Sequence, residues 1–168
     1  MKTFTDNAGR SWTISLTIDA AKRVKSLLGV NLLELEQGDP PLLTRLGTDV
    51  ILLCDVIFAL VKPQADAAAV TDEQFGASLG GEAILSAHTA FYEELVDFFR
   101  KLGRGDLARA VDAQKRMIDL AVRRIETRIE HLDLEAAVSK TLSEAEEEQT
   151  LSESSTNLPG SSASTPAL

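Results

Sequence analysis

The chain has 168 residues, 44% hydrophobic, with a formal net charge of -9, one domain's length with enough apolar side chains for a core. That balance argues against general affinity for nucleic acid, which needs a surplus of Lys and Arg against phosphate. The acidity is uneven, because no basic residue follows Lys140 whereas Glu144, Glu146, Glu147, Glu148 and Glu153 all do.

The N-terminal Met1-Lys2-Thr3-Phe4-Thr5-Asp6 lacks the apolar core of a signal peptide, so a soluble intracellular protein is expected. Residues 2–16 read as a β-hairpin. Trp12, Ile14 and Leu16 alternate with Ser11, Thr13 and Ser15, the period of a half-buried strand. Asp6-Asn7-Ala8-Gly9 supplies the turn, since these residues tolerate left-handed backbone angles. A lone hairpin is marginal in water, so the Trp12 face is expected to dock on the helices, with a ligand platform as the alternative. Asp19 is read as the cap of a helix over 20–28 that Gly29 ends. Its Lys22, Arg23 and Lys25 lie opposite Val24, Leu27 and Leu28 and are expected to face water.

Val30 to Leu35 is ambiguous between a third strand and a helical turn. Gly38-Asp39-Pro40-Pro41 breaks the chain, and Leu42, Leu43 and Leu46 form a short helix. The stretch that organises the rest runs from Val50 to Val61, where only Asp55 is polar. It is too short to cross a bilayer, which takes about 20 apolar residues. Thr48 or Asp49 can cap it as a helix, and Pro63 is expected to stop it, because proline disfavours helical geometry in the preceding residue. Cys54, the chain's single cysteine, sits inside this run and is expected to be an inert thiol.

After an alanine-rich connector over 63–70, Thr71-Asp72-Glu73-Gln74 matches a capping box. A short helix follows with Phe75 and Leu79 inward. Gly80-Gly81 lacks the spacing and lysine of a phosphate loop. A helix over 82–102 carries Ile84, Leu85, His88, Phe91, Tyr92, Leu95, Phe98 and Phe99 at helical spacing. This stripe is read as core, with a groove for an amphipathic partner helix as the alternative. Trp12, Phe75, Phe91, Tyr92, Phe98 and Phe99 are therefore the candidate partner-binding residues. His88 and His131 have no ligand set at metal spacing, and Glu93, Glu94 and Asp97 are read as carboxylates facing water. No catalytic, cofactor-binding or metal-binding residue is assigned, and no enzyme is expected.

Gly103-Arg104-Gly105-Asp106 reads as a hinge, with Asp106 capping a last helix over 106–138. Leu107, Val111, Ile118, Val122, Ile125, Ile129 and Leu132 draw an apolar stripe. Asp112 with Arg116 and Asp119 with Arg123 are spaced for ion pairs. The stripe fits an element packed on one side or a dimer seam, and its basic face is read as solvated. The expected fold is α+β and predominantly helical: a hairpin (1–17), a helical core (18–102) and the long helix (106–138), in one globular domain over 1–140. The acidic, then Ser/Thr-rich segment 141–168 is too poor in large apolar groups to order itself and is expected to be a flexible tail.

Two blocks carry a family resemblance. Phe4-Thr5-Asp6-Asn7-Ala8-Gly9-Arg10-Ser11-Trp12-Thr13, with the helix after it, resembles proteins of bacteriophage and prophage tail gene clusters. So does Leu52-Leu53-Cys54-Asp55-Val56-Ile57-Phe58-Ala59-Leu60-Val61-Lys62-Pro63, followed by Val70-Thr71-Asp72-Glu73-Gln74-Phe75-Gly76. The order of apolar helix, connector and "Thr-x-Glu-x-Phe" is similar to tail assembly chaperones, over roughly residues 3–100. The resemblance implies a non-enzymatic protein of the bacterial host cytoplasm that binds the tape measure protein and keeps it soluble until the tail tube forms. The tail tube protein and self-association stay open as further partners; nucleic acid and membrane do not figure. The alternative is a structural minor tail or connector component of the virion, and a small regulator using the basic face of 109–128 ranks after it.

Overall fold

The computed structural model of the chain describes residues 1–130. It contains a two-stranded antiparallel hairpin, β1 (Lys2–Thr5) and β2 (Ser11–Ile14). Six helices follow: α1 (Ile18–Leu28), α2 (Leu42–Thr48), α3 (Val50–Ala67), α4 (Asp72–Ser78), α5 (Glu82–Lys101) and α6 (Gly105–Glu130). The α+β, predominantly helical class read from the sequence is the one formed. Met1–Val122 makes one compact unit, and Arg123 opens a second. The expected continuation of the last helix to 138 and the tail 141–168 lie outside the described residues.

α3 is the hub. It packs against α1, α2, α4, α5 and β2, while β1 lies along α5. Leu53, Val56, Ile57, Ala59, Leu60, Val61 and Ala65 of α3 are buried. They join Trp12, Ile14, Val24, Leu46, Phe75, Phe91, Tyr92, Leu95 and Phe99 in one core.

Pro63 does not stop α3, which runs on to Ala67 with Pro63 inside it. Proline has no N–H to offer the carbonyl four residues back, here Ala59. Arg23 of α1 supplies the replacement, its Nε donating to Ala59 O at 2.8 Å and Nη2 to Leu60 O at 3.0 Å. Arg23 is thus a cross-helix cap and not part of a solvated basic face. The N-cap of α1 is Thr17, whose side chain accepts from Ala20 N, and Asp19 sits in the first turn. Asp49 caps α3 by accepting from Leu52 N. Both halves of the expected capping box close, between Thr71 and Gln74. Val30 to Leu35 forms turns rather than a third strand, with Leu32 and Leu35 fully buried.

The hairpin pairs Phe4 with Trp12 and Thr3 with Thr13. Its open edge at β2 is filled by a side chain: Thr13 N donates to Gln64 Oε1 at 3.0 Å, and Gln64 Nε2 donates to Thr13 O at 2.7 Å. The amide of α3 thereby satisfies both outward backbone groups that an added strand would take. Among the described residues no helix is long and apolar enough to cross a membrane.

Candidate interaction surface

The residues expected to face a partner are all interior. Trp12, Phe75, Phe91, Tyr92, Phe98 and Phe99 are 7% exposed or less. Trp12 packs edge-to-face on Phe75, with ring centroids 5.3 Å apart, and Phe91 meets Tyr92 in the same way at 5.4 Å. These contacts place the rings against one another inside the fold.

Asp6 anchors the corner where the hairpin meets α4. Its Oδ1 accepts from the N–H groups of Ala8 and Arg10 at 3.0 and 2.9 Å. Its Oδ2 accepts from Arg10 Nε at 2.7 Å and Trp12 Nε1 at 2.9 Å, with Ser78 Oγ at 3.1 Å. Burial alone would push the Asp6 carboxyl up, but the bonds from Trp12, Arg10 and Ser78 outweigh it and hold the group at about 2. A turn residue by sequence, Asp6 is therefore a buried tie between elements more than seventy residues apart.

Glu94 departs from the water-facing reading in the same way. It is 4% exposed, its Oε1 accepts from Leu16 N at 3.1 Å, and its Oε2 lies 2.5 Å from the Met1 amine. Glu93 and Asp97 stay partly exposed and pair with Lys2. His88 stacks on Tyr92 with ring centroids 4.6 Å apart. Burial pushes the imidazole down from its usual range, Asp119 opposing and Lys115 adding to the shift. Burial also drives the Tyr92 phenol far above its usual value. His88 Nε2 and Tyr92 Oη have no hydrogen-bond partner among the described residues. Among the described residues no group of three or more His, Cys, Asp or Glu side chains is arranged to hold a metal ion.

One open groove lies between α1 and α3. Leu27, Leu28, Asp55, Phe58, Ala59, Lys62 and Asp72 line a cavity of about 280 Å³. Leu27 is 54% exposed, and Ile51, one turn before Asp55 on the same face of α3, is 76% exposed. The Lys62 ammonium lies 5.8 Å from the Phe58 ring centroid and pairs with Asp66. Burial, followed by the charges of Asp72 and Asp49, pushes the Asp55 carboxyl up. Burial also raises the Cys54 thiol, with Asp55 and Asp72 adding to it, which keeps that thiol protonated and poorly nucleophilic, as expected from the sequence. The groove thus has an apolar floor and two carboxylates at its rim. Chemically it suits an apolar side chain flanked by a Lys or Arg, presented by a helix.

Sequence reasoning missed this groove because its apolar members sit in a run where almost every residue is apolar. The one available clue was Asp55, whose helical neighbours Ile51, Phe58 and Lys62 mark the half-open face of α3. Compared with protein-family models, curated proteins and solved structures, the chain matches none.

Proposed function

We propose that this chain is a non-enzymatic tail assembly chaperone, acting in a bacterial cytoplasm on the tape measure protein through the α1/α3 groove. The observation that carries the reading is the groove itself: exposed Leu27 with half-buried Phe58, Asp55 and Asp72 in its lining, and exposed Ile51 one helical turn before Asp55 on α3. A long helical client with an apolar stripe and interspersed basic residues has the complementary surface, and covering that stripe would keep it from aggregating. The excess negative charge of the chain, -9, opposes clustering of the loaded complexes. The buried Asp6 and Glu94 and the half-buried Gln64 and Arg23 fit the same reading, since each is engaged in joining elements.

The test is co-expression with a tape measure protein encoded beside this chain, reading the soluble, co-purifying fraction of the client. Wild type should bring the client into solution. Leu27→Asp and Ile51→Asp, both at exposed positions, should keep their melting temperature and lose the client. A client that stays insoluble with wild type, or is captured equally by both variants, contradicts the proposal.

A second reading, a minor tail or connector component joined by strand addition, draws on the hairpin. With the β2 edge occupied by Gln64 at Thr13, a neighbour's strand would have to join β1 at Thr3 and Thr5, which are exposed. That arrangement predicts a fixed ring or oligomer and loss of assembly on Thr3→Pro, which removes an edge donor.

A further inference from the structure

The first half of α6 is held along one side only. Leu107, Ala108 and Val111 are buried. Gln114 and Ile118 lie against Gly47 of α2, where an added Cβ would stand 3.2 Å from Ile118 Cδ1. The opposite side carries Arg109, Ala113, Arg116, Met117 and Leu120, all exposed. They recur at i, i+4, i+7, i+8 and i+11, which puts them on one face of the helix. Met117 is 66% and Leu120 60% exposed, and the Arg116 side chain beside them is 74% exposed. Arg116 gives one bond, from Nη2, to Asp112. A guanidinium has five N–H donors, so a second carboxylate can still be met. The face therefore presents two large apolar side chains with basic groups next to them.

The groove between α1 and α3 is its complement. Leu27, Leu28, Phe58 and Ala59 supply apolar walls, and Asp55 and Asp72 supply carboxylates. The charges of Asp72 and Asp49 both reach Asp55, and Lys62 in the lining is paired with Asp66, so the local balance is acidic. A volume of about 280 Å³ is at the lower limit of small-molecule pockets and suits aliphatic side chains such as Met117 and Leu120.

α6 cannot turn this face onto its own core, because Leu107, Val111 and Ile118 fix the helix by the opposite side. Among copies, groove against groove sets the Asp55 and Asp72 carboxylates against one another, and α6 against α6 brings the arginines together. Like charges so placed oppose association. Face against groove joins unlike charges and covers apolar groups on both sides.

We infer that the outer face of α6, at Arg116, Met117 and Leu120, docks in the α1/α3 groove of a second copy of this chain, so that free chains cap one another until a client displaces α6. The inference rests on the groove being a helix-docking site, as the proposed function does, and gives that site a second occupant. The two surfaces differ, so the contact is heterologous and leaves one face and one groove unused at the ends of an open assembly.

Sedimentation equilibrium of the full chain is the experiment. A contact of this extent belongs with small, transient interfaces. The average mass should therefore rise above the 18.1 kDa of one chain between about 5 and about 500 μM. Leu27→Asp removes the groove and Leu120→Asp removes the face. Each variant alone should stay monomeric, with the wild-type melting temperature, because both positions are exposed. Mixed, the two should associate one to one, since the first keeps its face and the second its groove. Should either aspartate variant melt early, Leu27→Ser and Leu120→Ser take their place with the same expected pattern. A wild-type mass fixed at monomer across the range overturns the inference. So does association of either variant by itself, which marks a symmetric contact, or a mixture that stays monomeric. Soluble capture of a tape measure protein separates this inference from the groove proposal. Leu120→Asp keeps its groove and should capture at least as much client as wild type, whereas Leu27→Asp should lose it. Capture by a wild type that is monomeric at every concentration leaves the groove proposal standing and removes this one.

Discussion

The hairpin–α4 corner and helix α6 are built in opposite ways. In the corner, one buried carboxylate gathers the Trp12 indole, the Arg10 guanidinium, two backbone amides and the Ser78 hydroxyl. The Trp12 and Phe75 rings close over it edge to face. Along α6, burial rests on Leu107, Ala108 and Val111, and Met117, Leu120 and Ile125 are 66%, 60% and 59% exposed. The corner engages its carboxylate, indole and hydroxyl internally. α6 keeps apolar groups that the fold does not use. Sequence patterns do not separate these two cases, because both show aromatic or aliphatic residues at regular spacing.

The contrast breaks most sharply at Asp6. Asp6→Ala leaves the buried Trp12 N–H without an acceptor and the partly exposed Arg10 guanidinium without its carboxylate, and should cost about 1–3 kcal/mol of stability, measured by urea denaturation. A loss under about 1 kcal/mol would mean the corner is not held by the carboxylate. The same group makes stability depend on acid. Its folded-state pKa, about 2, lies below the ordinary 3.8, so its contribution is complete above pH 4 and drains away as pH falls from about 4 to about 2. The amount is roughly 2–3 kcal/mol at about 1.36 kcal/mol per unit. Asp6→Asn should remove that part of the acid sensitivity and leave the sensitivity of the other carboxylates. Identical acid slopes for wild type and Asp6→Asn would refute the assignment.

Arg23 gives a sharper test. Arg23→Met should cost about 1–3 kcal/mol, because it leaves the Ala59 carbonyl without a donor. In a Pro63→Ala background the helix regains its own N–H for that carbonyl, so the penalty of Arg23→Met should shrink. An equal penalty in both backgrounds would show that the guanidinium does not substitute for the missing amide. At the other end of the scale, Met117→Ser and Leu120→Ser in α6 should change stability by no more than about 0.5 kcal/mol, as substitutions at exposed positions do. A cost like that of a core residue would erase the distinction between the two regions.

Much of the fold follows from local chemistry. The alternation around Trp12, the cap at Asp49, the Thr71 and Gln74 box and the stop at Gly29 each act within a few residues, and each forms as the sequence suggests. The departures come from partners distant in the chain. Pro63 reads as a stop until Arg23, forty residues earlier, supplies the donor that proline lacks. Glu94 reads as a surface carboxylate until Leu16 and Met1 are brought to it. Thr17 and Asp19 are both good caps two residues apart, and Thr17 takes the position. The site was less legible than the fold. The aromatic residues that seemed fit to meet a partner are those the core most needs, because large rings bury the most area. The exposed Leu27 and Ile51 look no different in sequence from their buried neighbours.

The most direct measurement is hydrogen–deuterium exchange of the chain alone and in complex with a tape measure protein. Binding at the α1/α3 groove predicts slowed exchange at the C-terminal end of α1 and along α3 from Ile51 to Lys62, with α5 unchanged. Slowed exchange confined to α5 or to the hairpin, with α1 and α3 unaltered, would contradict the groove as the site of client binding.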